Sequence, residues 1–155
     1  MKALAGPSGT APISPELLDR LRRRLAAAPA LARLSPSLEE LRPDACVLRL
    51  PYREELTNGS GTIHGGILAM LADAAVAFAL ATNFDGKMGF ATADLTIHYL
   101  ARARSDVRAR ARILKKGRRI NVGEVDIEDA AGRVVSRALV TYVLTTSRFE
   151  DLPKG

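Results

Sequence analysis

The sequence predicts an α+β domain in which an antiparallel sheet surrounds one long helix. One reason is a long apolar segment in the middle of the chain, from Gly66 to Thr82, whose only charged residue is Asp73. Another is the C-terminal half, which alternates apolar and polar residues over successive segments, as strands with one buried face do. A helix that is apolar on every side must be buried on every side, and in so small a domain only a sheet can cover it.

The composition is typical of one ordinary globular domain. The chain has 155 residues, 47% hydrophobic and 26% charged, and 23 Lys and Arg against 17 Asp and Glu give a formal charge of +6. One cysteine, Cys46, excludes an internal disulfide framework, and only two histidines accompany it, so we expect no metal site. No signal peptide or membrane span is recognisable, and we expect a soluble, cytoplasmic protein.

The N-terminal region predicts a tail followed by a helix. Residues 1–14 are rich in Gly, Pro, Ser and Thr, and we expect them to be mobile. Ser14, Pro15 and Glu16 then form a helix start, with Ser as N-cap and Pro at the first helical position. One face of this helix is apolar and carries Leu17, Leu18, Leu21 and Leu25. Pro29 ends the helix, and residues 15–43 are interpreted as this helix and a connector.

The remaining elements form the main domain, predicted over residues 44–147, with a tail at 148–155. A strand at 45–52 comes first, and the long central helix covers about residues 65–83. Four strands follow, at 91–100, 107–113, 120–128 and 134–144. In the third of these four, the apolar phase shifts from Ile120 and Val122 to Val125 and Ile127, which indicates a β-bulge near Gly123.

Asp73 is the first candidate for chemistry, because it lies on a helix without a polar face. An unpaired buried charge costs several kcal/mol, so this carboxylate must find hydrogen-bond donors, another helix terminus or water. A carboxylate in an apolar setting is suited to act as a general base or a nucleophile near neutral pH. The alternative is a structural Asp that is bonded to loop amides.

His64-Gly65-Gly66 stands at the entry of the same helix, where free N–H groups and partial positive charge can bind an oxyanion. Gly65 and Asp73 are separated by eight residues, or about 12 Å along a helix. A base and an oxyanion donor must both lie within roughly 3 Å of the reacting group. One copy of the helix cannot supply both, so if both act, the site lies at a dimer interface.

The spacing of these residues is similar to that of a known family. Asn58 precedes His64 by six positions, and Asp73 follows it by nine. Together with Leu71-Ala72-Asp73 and the later Thr92-Ala93-Asp94-Leu95, this pattern resembles the hot-dog-fold acyl-CoA thioesterases of the PaaI-like (Them2-like) family. The resemblance covers about residues 45–145.

The resemblance implies a fold, an activity and roles for individual residues. The fold would be a hot-dog, with five or six antiparallel strands around the helix, forming a homodimer and often a dimer of dimers. Asp73 would activate water or attack the thioester directly, and the Gly65 N–H of a second subunit would be the oxyanion donor. Asn58 and His64 would orient the carbonyl and the loop, and Thr92 would place the water.

The substrate implied is an acyl-CoA, whose coenzyme A moiety is not a separate cofactor, and no nucleic acid or membrane partner is expected. Six cations are candidates to hold its phosphates: Arg102, Arg104, Lys115, Lys116, Arg118 and Arg119. The arginines at the alternate positions Arg108, Arg110 and Arg112 are expected to face solvent.

Two other functions stay open at this point. A hot-dog hydratase or dehydratase would use Asp73 together with His64. A non-catalytic acyl-CoA-binding regulator would need a DNA-binding module, for which the basic helix at residues 17–28 is short. The acyl preference is open as well, because the facing of Met70, Ala77 and Phe90 is not fixed by the sequence.

Overall fold

The computed structural model describes residues 12–84 and 86–148, which form one six-stranded antiparallel sheet and three α-helices. The helices are α1 (Pro15–Ala27), α2 (Pro29–Leu34) and α3 (Gly65–Ala81). The strands are β1 (Ser37–Arg42), β2 (Ala45–Leu50), β3 (Met88–Tyr99), β4 (Val107–Lys115), β5 (Ile120–Asp129) and β6 (Val134–Arg148). Their order across the sheet is β1-β2-β4-β5-β6-β3. The α+β class with a sheet around a central helix is confirmed. Of the predicted tails at 1–14 and 148–155, residues 1–11 and 149–155 lie outside the described residues, and Arg148 is the last residue of β6.

Helix α3 is the centre of the core, as its composition predicted. It packs against β2, β3, β4, β5 and β6, and ten of its 17 residues are buried. Its closest approach to the sheet requires a glycine, because a Cβ at Gly123 would lie 2.6 Å from Val76 Cγ1. The sheet therefore wraps around a helix rich in alanine, whose small side chains allow the two layers to approach closely.

An irregularity does lie next to Gly123, but it is in β4, so the expected bulge in β5 itself is wrong. Asn121, Gly123, Val125 and Ile127 form an unbroken inward-facing alternation, and the extra residue is Leu114 on the neighbouring strand β4. The prediction from the apolar pattern was wrong because the inner row of β5 begins with the polar residue Asn121 and with Gly123, which has no side chain. Asn121 is buried and accepts a hydrogen bond from the Gly117 N–H at 3.2 Å.

The N-terminal helix forms as predicted, but the connector after it is more structured. Ser14 Oγ accepts a hydrogen bond from Leu17 N at 3.2 Å, and the buried leucines of α1 face the domain. The segment expected to be a connector contains α2 and β1, so the sheet begins at Ser37. An irregularity between Leu38 and Glu40 breaks the alternation of β1, which hid this strand from the sequence pattern.

The outer face of the sheet carries rows of paired charges. Arg110 contacts Glu128 at 2.9 Å, Arg108 contacts Glu39 at 2.7 Å, and Arg112 is paired with Glu124. The Arg137 guanidinium donates two hydrogen bonds to the Asp126 carboxylate, from Nε to Oδ1 at 2.5 Å and from Nη2 to Oδ2 at 2.6 Å. The arginines of β4 are therefore neutralised by acids on β1 and β5, which is a more specific arrangement than simple solvent exposure.

Strand β3 lies at one edge of the sheet, next to β6 alone. It is 12 residues long, and Ala91, Thr92, Ala93 and Asp94 in its middle are exposed. A long edge strand with unpaired N–H and C=O groups is a template for pairing with another strand. In the described part of the chain, no helix is both long and apolar enough to cross a membrane.

Candidate active site

Asp73 lies half-buried on α3 and faces β3 and β6. Its Oδ1 accepts hydrogen bonds from Thr92 Oγ1 at 2.9 Å and from the Tyr142 hydroxyl at 2.7 Å. Within residues 12–84 and 86–148 no hydrogen bond to Oδ2 is formed. The carboxylate is thus fixed through one oxygen, and the other remains available for a water molecule or for a carbonyl carbon.

Tyr142 is a site residue that the sequence analysis missed. Its hydroxyl also lies 2.8 Å from the Asp73 carbonyl oxygen, and its ring packs edge-to-face on Phe90 with centroids 5.2 Å apart. Burial, and then the charge of Asp73, raise the pKa of Tyr142 far above its usual range. The phenol therefore stays protonated and acts as a permanent hydrogen-bond donor to the carboxylate.

Gly65 is the first residue of α3, and its N–H has no acceptor in the part of the chain described. The Gly65 carbonyl accepts a hydrogen bond from the Tyr99 hydroxyl at 2.8 Å. A Cβ on this glycine would lie 3.0 Å from the Tyr99 ring, so the absence of a side chain allows that contact. The free N–H at a helix N-terminus is the group that can stabilise an oxyanion.

His64 is the N-cap of α3. Its Nδ1 accepts a hydrogen bond from Gly66 N at 3.0 Å, so this ring nitrogen carries no proton. The backbone N–H of His64 donates a hydrogen bond to the Leu56 carbonyl at 2.9 Å, which connects the helix start to the preceding loop. The imidazole thus positions the Gly65 peptide, and its Nε2 is left as a donor.

Asn58 organises the loop before the helix. Its Oδ1 accepts hydrogen bonds from Ser60 N at 3.0 Å, Ser60 Oγ at 2.8 Å and Thr62 N at 3.3 Å. Arg104 holds the same loop through the Ser60 carbonyl at 3.2 Å. Since Oδ1 is fully used within the loop, the Asn58 side chain can contact a ligand only through its Nδ2 donor.

A cleft of about 340 Å³ lies over the Gly65 peptide. Its lining includes Asn58, Thr62, Tyr99 and Arg102. Thr62 lines the cleft, and its hydroxyl is buried and has no hydrogen-bond partner in the described residues. The sequence analysis gave Thr62 no role, because an unpartnered hydroxyl is visible only in three dimensions.

A second hollow, of about 600 Å³, lies at the β4–β5 turn and is lined by Lys115, Gly117, Arg118, Arg119 and Ile120. Among the described residues, its three cations form no ion pair. Lys116 is separate from them, because its Nζ contacts Asp44 at 2.7 Å and Asn83 at 3.1 Å. Of the six predicted phosphate ligands, three therefore meet at this turn, and Arg102 lines the cleft beside Gly65.

The predicted catalytic residues lie in two groups within one chain. Thr92 meets Asp73, while Asn58 and His64 surround Gly65 at the start of α3. Eight residues of helix, about 12 Å, separate the groups.

Burial raises the pKa of the Cys46 thiol far above its usual range, so this residue is an inert part of the core.

Known proteins share this architecture. Escherichia coli PaaI, from the phenylacetic acid degradation operon, matches with a TM-score of 0.79 and 17% identity over 88% of this chain and 99% of its own. Human acyl-coenzyme A thioesterase 13 is 31% identical over 98 residues, which are 61% of this chain and 69% of that protein. The Halobacterium salinarum protein named "Putative esterase VNG_1336C" is 36% identical over 102 residues, 63% of this chain and 68% of its own.

Fold and motif together define a hot-dog domain of the PaaI-like thioesterase type, as the resemblance implied. Within that class, the chain belongs to the family described as "Domain of unknown function (DUF4442)", which matches residues 20–144. The match includes α3, strands β1 to β5, β6 as far as Leu144, and every predicted site residue.

Proposed function

We propose that this protein hydrolyses an acyl-CoA thioester to the free acid and coenzyme A, in a site shared by two subunits. The observation that carries the proposal is the half-satisfied carboxylate of Asp73. Its Oδ1 is held by Thr92 and Tyr142 and its Oδ2 is unbonded in the described residues. The relation to human acyl-coenzyme A thioesterase 13 supports the choice of a CoA thioester.

In the hydrolysis, Asp73 Oδ2 removes a proton from water as the water oxygen attacks the thioester carbonyl carbon. The C–S bond then breaks, and the coenzyme A thiolate takes the proton back. A direct attack by Oδ2 would form a mixed anhydride, which water hydrolyses to the same products. In either course, the Thr92 and Tyr142 hydroxyls keep the carboxylate in one orientation.

The negative charge that develops on the carbonyl oxygen requires a donor that Asp73's own helix cannot bring close. The free N–H of a second subunit's Gly65 suits this role, with the Asn58 Nδ2 group as a neighbour. A dehydratase role for His64 is less suited to the site, because the Nδ1 lone pair is already used for the helix cap.

Pairing of the two β3 edges explains how such a site would form. Thr92 contacts Asp73 near the middle of β3, and Tyr99 contacts Gly65 at the C-terminal end of the strand. An antiparallel pairing centred midway between Thr92 and Tyr99 brings Asp73 of one protomer toward the cleft of its partner. The two halves of the candidate site then combine, twice, around the symmetry axis.

The same pairing supports a role for the cations. Asn121, beside the β4–β5 turn, pairs with Tyr142 across the sheet, so the hollow with Arg118 and Arg119 lies at the Asp73 end. Arg102 lies at the Gly65 end and would arrive from the partner. Coenzyme A would thus meet cations of both subunits, and its phosphates favour such a surface.

Complementation between two inactive variants tests the shared site. Asp73→Asn removes the base, and Gly65→Pro removes the N–H at the first helical position, where the backbone accommodates proline although its ring displaces the Tyr99 side chain. Each variant alone should lose at least about a hundredfold in kcat. Random co-assembly leaves about a quarter of the sites with an intact Asp73 and an intact partner Gly65, so co-expressed variants should regain about a quarter of the activity.

The control places both substitutions in one chain and co-expresses it with a chain that carries Asp73→Asn alone, which regenerates no complete site. Activity is followed as release of free thiol from a panel of acyl-CoAs. Recovery in the control pair, or near-normal turnover by Asp73→Asn, would contradict the proposal, and so would full activity in a monomer.

A further inference from the structure

We propose that α1 closes the acyl end of the site and that Leu21 sets the longest acyl chain accepted. This inference rests on the proposed thioester hydrolysis and concerns which substrates that site takes. It assigns a specificity role to a helix outside the residues that resemble the thioesterase motifs.

An apolar void of about 30 Å³ lies beneath α1, and its lining links that helix to α3 and β3. The residues around it are Leu21, Arg24, Ala77, Phe78, Ala81 and Phe90. Leu21 has no exposed surface, and it forms the wall that α1 contributes. The void holds about one methylene or one water molecule, so an acyl chain that reached it would stop at Leu21.

Two contacts connect this void to the reacting group. Ala77 is one helical turn after Asp73 on the same face of α3, since residues four apart are neighbours on a helix. Phe90 packs on Tyr142, whose hydroxyl binds the Asp73 carboxylate. A thioester carbonyl beside Asp73 would therefore have an apolar extension between Ala77 and Phe90, in the direction of Leu21.

The opposite direction is unsuitable for a hydrocarbon chain. The hollow at the β4–β5 turn carries Lys115, Arg118 and Arg119, which suit the phosphates of coenzyme A. Phe90 and Tyr142 face the helix side of the sheet, whereas Ile120 is half-exposed at the turn. The acyl group and the nucleotide would accordingly occupy different sides, with the apolar part directed under α1.

Helix α1 is held against the segment between α3 and β3 by side chains of one helical turn. Gly86 has a φ of +67°, and a Cβ there would lie 3.3 Å from Leu21 Cδ2 and 3.4 Å from Arg20 Cδ. Arg24 also donates a hydrogen bond to the Gly86 carbonyl at 3.2 Å. Glycine at this position therefore lets α1 lie directly on the chain between α3 and β3.

The test replaces Leu21 by Ala, which opens the void by the volume of about two to three carbon atoms. The measurement is kcat/KM for saturated acyl-CoAs of increasing length. For the first chain that exceeds the wild-type limit, kcat/KM should increase at least about tenfold, because one methylene is worth about 10- to 200-fold in an apolar pocket. The longest accepted chain should lengthen by about two carbons.

Leu25→Ala is the matched control. Leu25 is buried on the same face of α1, one turn later, but it does not line the void. The control should destabilise the helix without changing the chain-length profile. An unchanged profile in Leu21→Ala, or the same change in both variants, would overturn the inference.

A second measurement separates this inference from the proposed function. S-alkyl-CoA thioethers cannot be hydrolysed, so their affinity reports on the pocket even when no turnover occurs. If wild type binds a series of these thioethers but hydrolyses no acyl-CoA, the proposed function fails, while a longer preferred alkyl chain in Leu21→Ala still supports the role of α1. Equal length preference in both proteins, or no binding at any length, would contradict it.

Discussion

Replacing Tyr142 by Phe is the sharpest test of how the site fixes its carboxylate. The substitution removes a hydroxyl that donates to Asp73 Oδ1 at 2.7 Å and keeps the ring that packs on Phe90. With 3% of Tyr142 exposed, water has little access to replace the lost donor. Thr92 Oγ1 would remain as the one side-chain donor to the carboxylate in the described residues.

The magnitude follows from the type of hydrogen bond. A bond to a charged group is worth about 1.5–3 kcal/mol, and about 1.4 kcal/mol corresponds to a tenfold change in rate. If this energy holds the carboxylate in its reactive orientation, kcat should decrease about 10- to 150-fold. KM should change little, because Tyr142 does not contact the coenzyme A moiety in the proposed mode of binding.

The assay is steady-state release of free thiol, combined with a double-mutant cycle. In an Asp73→Asn background, Tyr142→Phe should cause no comparable further loss, since the residue acts through the carboxylate. Thr92→Val serves as the comparison, and its loss should be smaller because Thr92 is exposed and water can replace its hydroxyl. A normal kcat in Tyr142→Phe, or an equal loss in both backgrounds, would refute the positioning role.

Three further predictions concern packing, pH and charge. Gly123→Ala should lower the free energy of unfolding by about 1–3 kcal/mol, because its Cβ would meet Val76 at 2.6 Å, whereas Gly59→Ala, with open space around it, should change little in the same urea titration. The Tyr52 backbone N–H and the Arg49 guanidinium lower the pKa of Asp106. The ionised carboxylate therefore stabilises the fold at neutral pH, and this stabilisation disappears as the pH falls through the lowered pKa. Asp106→Asn should reduce the free energy of unfolding by about 1 kcal/mol at neutral pH and leave it unchanged in strong acid. Arg118→Gln with Arg119→Gln should raise KM for acyl-CoAs more than for thioesters without the nucleotide, and equal effects would show that these charges belong to the general surface.

The strongly patterned parts of the fold could be predicted from the sequence. An apolar helix with one acid and strands of period two are local signals, and both α3 and the strands from β3 to β6 follow them. Strand β1 could not be predicted in this way, because the irregularity at Leu38 and Glu40 interrupts its alternation. The prediction of a bulge in β5 was wrong for a related reason. The inner row of β5 includes the polar residue Asn121, whose side chain accepts a hydrogen bond from the Gly117 N–H.

The residues of the candidate site also fall into those that the local sequence indicates and those that only the folded chain brings together. Asn58, His64, Gly65 and Asp73 are close in sequence, and their spacing alone indicated a helix start and an acid two turns later. Tyr142 is 69 residues away from Asp73, and an apolar strand position gave no sign of its hydroxyl contact. Leu21 of α1 was visible as a core leucine, but the void beside it also depends on Ala77 and Phe90 from two other elements.

The paired charges on the outer face of the sheet also affect how fast an anionic ligand would arrive. With Arg108, Arg110, Arg112 and Arg137 matched by acids, that face contributes little net field. At the β4–β5 turn, by contrast, Lys115, Arg118 and Arg119 form no ion pair among the described residues, so positive potential remains there. Diffusional capture of a polyanion should be steered to that end of the molecule and should slow as added salt shortens the Debye length to about 8 Å at physiological ionic strength.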